Sequence, residues 1–223
     1  MAEAARKRPD SGFYRQLHQV TDEFLEPKQR KGRAKGRGRF FTVERVITRR
    51  SVRSNHEYLL KWEGYSYFDC SWEDEGNLTP DLIRYFNNPV VPNSRLQENI
   101  DALLLGIITK LKSKSRAPAT INFQHDCYRK LFSGKGETSQ DKKAMMFSHS
   151  DFEQCHFHSE WDQFLDKNGD GVRIKFPIRM SLRLSRSSEV HAVKDGKVIF
   201  PPRMYIEKLI IDFVRQPFSI LNN

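Results

Sequence analysis

Alternation of apolar and polar positions is clearest between residues 40 and 88. In "FFTVERVITRR", Phe41, Val43 and Ile47 alternate with Thr42, Glu44 and Thr48, which predicts a β-strand. "SVRSNH" reads as a polar connection, "EYLLKW" as a second strand and "DCSWED" as a short third one. "TPDLIRYFNN" then predicts a helix, with Thr79 as N-cap, Pro80 at the first helical position and Leu82, Ile83 and Phe86 on one face. The unit is three strands and a closing helix.

Beyond it, "NSRLQENIDALLLGIITKLKSKS" has the helical spacing, with Leu96, Ile100, Leu103, Leu104, Ile107, Ile108 and Leu111 forming a stripe. Ser94 and Gln97 fit a capping box. The stripe must be covered, by its own chain or by a partner's groove. Residues 113–150, with the polar run "SGKGETSQDKK", read as linker. "VRIKFPIRMSLRLS" alternates from Val172 to Ser185, which reads as a long half-buried strand or as two strands with a bend at Pro177, with Arg173, Lys175, Arg179 and Arg183 on the polar face. "VKDGKVIF" reads as a hairpin turning at Asp195-Gly196. "PPRMYIEKLIIDFVRQ" places Ile206, Leu209, Ile210 and Phe213 on one helical face, which predicts a closing helix over residues 203–214.

The fold class is therefore α+β. It comprises an arm over residues 1–39 expected to be disordered, a first unit over 40–90, a helix and linker over 91–150, a second small α+β domain over 151–217 and a tail over 218–223.

Composition changes this picture in one respect. Charged residues are 30% of the 223, and the formal net charge is +10. Seven cations are concentrated in the glycine-spaced arm: Lys28, Arg30, Lys31, Arg33, Lys35, Arg37 and Arg39. Such an arm fits nuclear localisation or sequence-independent contact with phosphate in DNA or RNA. No run of eighteen apolar residues is present, so no membrane span is expected, and the first residues lack the apolar stretch of a secretory signal. Three widely spaced cysteines argue for a reducing compartment.

Chemistry is sparse. "DKNGDGVRIKFP" begins like a calcium loop, but Pro177 stands where a bidentate Glu is required, so it reads as a turn between strands. The histidine and cysteine spacings fit no common zinc site. No nucleophile elbow, phosphate loop or zinc-protease motif occurs, so no enzyme activity, metal or cofactor is expected.

What remains is "KWEGYSYFDCSWEDEGNL", which is rich in both rings and carboxylates. A methylated ammonium keeps its charge while losing N–H donors, and aromatic faces attract it without hydrogen bonds. Phe41, Trp62 and Tyr65 are the candidate walls of such a cage. Trp62 and Tyr65 are expected to be partly exposed, and Trp72 to be core. Glu63, Asp69 and Glu73 favour a basic peptide.

Over residues 40–88 the ordered elements "FTVERV", "YLLKWEGY", "SWE", "NL" and "DLIRYF" resemble a chromodomain. The resemblance implies a three-stranded antiparallel sheet with a C-terminal helix and a methyl-lysine cage of Phe41, Trp62 and Tyr65. It also implies a histone tail, most plausibly of histone H3, added as a strand between residues 40–44 and 73–79. Phe40, Val43, Glu44, Asp69, Glu73 and Asn77 are then the expected peptide contacts. Phe41 stands where the family more often has Tyr, and Asp74 where it has Pro. The second domain resembles a chromo shadow domain, whose terminal helix, here Arg203 to Val214, would form a homodimer or engage a chromatin partner. Together these readings describe a nuclear, non-enzymatic chromatin reader of the heterochromatin protein one type, acting in gene silencing. The rival reading is a DNA- or RNA-binding architectural protein using the arm and the basic strand face.

Overall fold

The computed structural model describes residues 3–5, 40–113, 115–166, 170–187, 192–194, 197–199 and 203–219. The seven cations expected to contact nucleic acid, Lys28 to Arg39, lie outside these.

The first unit is an antiparallel sheet in the order β1-β2-β3-β4: Glu3–Ala5, Phe40–Val52, Asn55–Trp62 and Ser71–Asp74. Helix α1, Pro80–Asn87, closes it. Thr79 caps α1 by accepting the Leu82 N–H, and Leu82 and Phe86 point into the core. That core is small: Val43, Val46, Tyr58, Leu60, Trp62, Leu78, Leu82 and Phe86. The polar connection is tighter than the sequence suggests. Val52 pairs with Asn55, so only Arg53 and Ser54 turn the chain, with Arg53 at φ 55°. Register shifts between Val43 and Arg45 and between Val46 and Thr48 bend β2.

Strand β1 corrects the expectation of an arm disordered throughout residues 1–39. Glu3–Ala5 pairs with β2, Glu3 opposite Thr42, Ala4 opposite Phe41 and Ala5 opposite Phe40.

The second unit starts earlier than expected. Helix α2, Asn93–Lys112, packs its apolar stripe on its own chain, with Leu103, Ile107 and Leu111 fully buried. Its N-cap is Pro92 rather than a capping-box Ser94. At Gly106 the helix comes so close to the sheet that a Cβ would lie 2.8 Å from Ile121 Cγ2. The linker reading of residues 113–150 is overturned. This segment supplies β5 (Ala119–Asn122), helix α3 (His125–Phe132), β6 (Glu137–Thr138) and β7 (Met145–Phe147). Phe123, Cys127, Leu131, Phe132 and Phe147 belong to the large core.

The main sheet runs β5-β12-β9-β7-β6, with β8 (Gln163–Leu165) also on β9. Strand β9 is the long alternating strand, Asp170–Arg186. Ahead of it Asp170 N–H donates to Asp166 Oδ1 at 3.0 Å, and the expected turn at 167–169 of the calcium-like stretch lies outside the described residues. Strands β10 (Ala192–Lys194) and β11 (Lys197–Ile199) pair antiparallel, and the expected turn at Asp195-Gly196 lies outside the described residues.

The predicted terminal helix over 203–214 is instead strand β12, Tyr205–Ser219. It pairs with β9 from Tyr205↔Arg186 to Ser219↔Asp170. Leu209, Ile211 and Phe213 are buried in the period of two that a strand imposes. The shadow-like dimer helix therefore does not exist, and an interface built on it falls away.

The two units are joined by buried charge. Arg45 of β2 donates to Asp126 Oδ1 at 2.7 Å and to Glu207 Oε1, and all three residues are under a tenth exposed. Burial opposes the charge on Arg45, but Glu207 and Asp126 more than offset it and hold its pKa above the ordinary arginine range. Arg129 of α3 donates to the carbonyls of Val46, Ile47 and Phe86 at 2.9, 2.9 and 2.8 Å and lies 4.0 Å from the Phe86 ring centroid. Burial pulls its pKa down to about 10.

Candidate functional site

Local sequence brings three rings to one end of the small sheet. Trp62 ends β3, and Val43 of β2 pairs directly with it. The chain then turns tightly, Tyr65 N–H donating to the Trp62 carbonyl at 3.3 Å, with Gly64 at φ 76°. A non-glycine residue there costs about 1–2 kcal/mol of backbone strain. The turn returns Tyr65 to Phe41. The Phe41 ring centroid lies 6.1 Å from that of Trp62 at 70° and 5.9 Å from that of Tyr65 at 75°. Both contacts are edge-to-face, the arrangement in which the edge of one ring meets the electron-rich face of another.

Exposure divides the three. Tyr65 is 39% exposed, Phe41 is half-buried and Trp62 is 1% exposed, so the expected partial exposure of Trp62 is corrected. Trp62 is held from behind. Its Nε1 donates to Ser71 Oγ at 3.0 Å, and that hydroxyl donates to Glu73 Oε1 at 2.7 Å.

Lys61, which the sequence reading passed over, organises the turn. Its ammonium is buried and donates to Glu44 Oε2 at 2.6 Å, the Trp62 carbonyl at 3.0 Å and the Tyr65 carbonyl at 2.7 Å. One cation thus fixes the backbone at two of the three rings. Asp69 fixes the next turn, accepting from Ser66 N and Ser66 Oγ at 3.0 and 2.8 Å.

The expected peptide contacts therefore separate. Val43 is core and Glu73 is buried behind Trp62. Glu44 is tied to Lys61, and Asp69 is an internal cap. Asn77 ends a half-buried 3-10 turn, Glu75–Asn77. Phe40 contributes backbone pairing to β1. Asp74, where the family has Pro, sits at φ −63°, a value that proline also adopts. Trp72 is not core. It is half-buried at the junction, its Nε1 donating to Tyr205 OH at 3.2 Å and Arg50 lying 4.1 Å over its ring.

The family model for the Chromo (CHRromatin Organisation MOdifier) domain matches residues 41–88. Residues 41–88 are a chromodomain. Over this chromodomain the chain is 44% identical across 43 residues to Chromobox protein homolog hpl-1 of Caenorhabditis elegans, covering 19% of this chain and 23% of that protein. It is 43% identical across 47 residues to Heterochromatin protein 1 of Drosophila virilis, covering 21% and 22%. The Drosophila melanogaster protein of the same name matches at 43% across 47 residues, 21% and 23%. The chain spans less than a quarter of the length of these relatives. No solved structure matches.

Beyond the chromodomain, the described residues hold no cluster of three His, Cys, Asp or Glu that could hold a metal. Cys127 and Cys155 are buried in the large core, and burial pushes each thiol up to about 12. They behave as small apolar side chains.

Proposed function

We propose that the chain is a non-enzymatic, nuclear chromatin protein whose chromodomain binds a methylated lysine on a histone tail, with histone H3 as the first choice, in heterochromatin organisation. The observation that carries this reading is the convergence of Phe41, Trp62 and Tyr65 at near right angles, on a turn clamped by Lys61. Three rings accept a cation that has lost its hydrogen-bond donors, and that is the chemistry of methyl-lysine. The tail would pair through its backbone with the β2 edge at residues 40–44, pairing supplying affinity and the cage supplying selectivity.

The test is titration of H3 tail peptides, unmodified and methylated, against the intact chain and Tyr65→Ala. Tyr65 is the ring to remove because it is exposed, so the fold survives its loss. Trp62→Ala would instead cost about 3–5 kcal/mol of core stability and confuse unfolding with lost recognition. Preference for the methylated peptide that falls at least about tenfold in Tyr65→Ala supports the reading. Equal affinity for both peptides refutes it.

A second reading has its own support. Arg173, Lys175 and Arg183 are exposed on β9, and Arg183 pairs with Lys208 of β12. Arg179, on the same strand, is occupied by Asp141 at 2.5 Å. This surface suits sequence-independent phosphate contact, with the arm as an auxiliary. Affinity for DNA or RNA that falls steeply with salt and ignores histone methylation would favour it.

A further inference from the structure

The edge of β2 assigned to an incoming tail is already paired. The first β2–β3 pair is Val43↔Trp62 and the Thr42 carbonyl accepts from Glu63 N–H at 3.0 Å, so on that side Phe40–Thr42 hold this one further bond and no ladder pair. Their strand partner is β1, Glu3–Ala5, with Ala4 opposite Phe41, the ring shared by both cage contacts. A strand edge carries one set of N–H and C=O groups and takes one partner at a time. The segment also has the composition of a tail peptide. Two small alanines lie in the strand, and Arg6, Lys7 and Arg8 follow it in the sequence.

We propose that Glu3–Ala5 is an intramolecular ligand of the β2 edge, which must leave before a histone tail can pair there. The proposal rests on reading that edge as the peptide groove. Residues 6–39 join the strand to β2 covalently. Its local concentration is therefore set by the tether, on the order of millimolar, and does not change on dilution. Three paired residues are a weak ligand, yet at that concentration a weak ligand is enough to occupy the edge for much of the time. Tail affinity is then reduced by the fraction of molecules in which the edge is free. The chain would be a reader with a built-in threshold, answering to dense or multivalent methylated tails, or to any factor that captures the segment.

The experiment compares the full chain, a variant lacking residues 2–5, and the double variant Ala4→Pro with Ala5→Pro. Adjacent prolines remove the ladder N–H groups whichever of the two faces β2. Both variants are expected to bind methylated H3 peptide at least about threefold more tightly, through faster association. Unchanged affinity in both, while the full chain still prefers methylated peptide, overturns the self-ligand and leaves the reader standing. Two readouts need no histone. Amide exchange at Phe40–Thr42 should accelerate when residues 2–5 are removed, and a synthetic peptide of residues 1–8 should bind that truncated chain in trans. Failure of both overturns the proposal even if no histone peptide binds any form. Sedimentation decides whose strand it is. A monomer before and after truncation supports the intramolecular contact, and a dimer that truncation dissolves assigns β1 to a second copy and overturns it.

Discussion

The chromodomain and the second unit differ most in how each encloses its core. Among the described residues, the second unit's core cluster holds nineteen apolar side chains between one long sheet and two helices. The chromodomain's own cluster holds eight among the described residues, beneath a sheet whose outer edge has a three-residue partner. A module of this size is marginal by itself, and here it is anchored. Arg45 and Arg129 tie β2 and the end of α1 to α3 and β12 through buried polar contacts. The larger unit acts as a base, and the smaller one carries the lightly paired β2 edge and the ring cluster.

This contrast can be broken at the joint. Arg45→Ala leaves Glu207 buried without its ion partner, and unfolding by denaturant should show a loss of about 3–5 kcal/mol. Asp126 keeps Arg95 at 2.8 Å, so Glu207→Gln added to Arg45→Ala should recover part of that loss. Arg129→Ala strands three carbonyls and should cost about 2–3 kcal/mol. In calorimetry it should split one transition into two as the chromodomain melts alone.

Two smaller changes separate the units by kind of effect. Gly106→Ala drives a Cβ against Ile121 and should cost about 1–2 kcal/mol of stability, leaving peptide binding unchanged. Lys61→Met keeps the stem's packing and removes the clamp on the Trp62 and Tyr65 carbonyls. It should weaken methylated-peptide binding about fivefold, read by fluorescence anisotropy, with a smaller change in melting temperature than Arg129→Ala.

The same contrast explains what the sequence made legible. The chromodomain's signals are local: a strand alternation, Thr79-Pro80 before a helix, a glycine turn between two rings. Its elements and ring cluster could be read directly. The second unit is specified by long-range pairing. "YIEKLIIDFV" satisfies a helical spacing through Ile206, Leu209, Ile210 and Phe213, and equally a strand period through Leu209, Ile211 and Phe213. The long β9 ladder decides between them. In residues 113–150 the polar run hid the helical spacing of Phe123, Cys127 and Leu131, all buried in α3 or just before it. The joint had one faint trace, since Arg45 sits in phase with Val43 and Ile47. Its partners are 81 and 162 residues away, beyond any local pattern. Lys61 was likewise hidden, because two of its three bonds go to backbone carbonyls, which carry no sequence mark.

The central claim is that three rings on a clamped turn select a methylated lysine. Calorimetric titration of trimethylated and unmodified H3 peptides into the intact chain and Tyr65→Ala, with circular dichroism to verify the fold, tests it most directly. The account predicts at least about tenfold preference for the methylated peptide in the intact chain, and its loss in a folded Tyr65→Ala. Methylation-independent binding in the intact chain, or an undiminished preference in the variant, would contradict it.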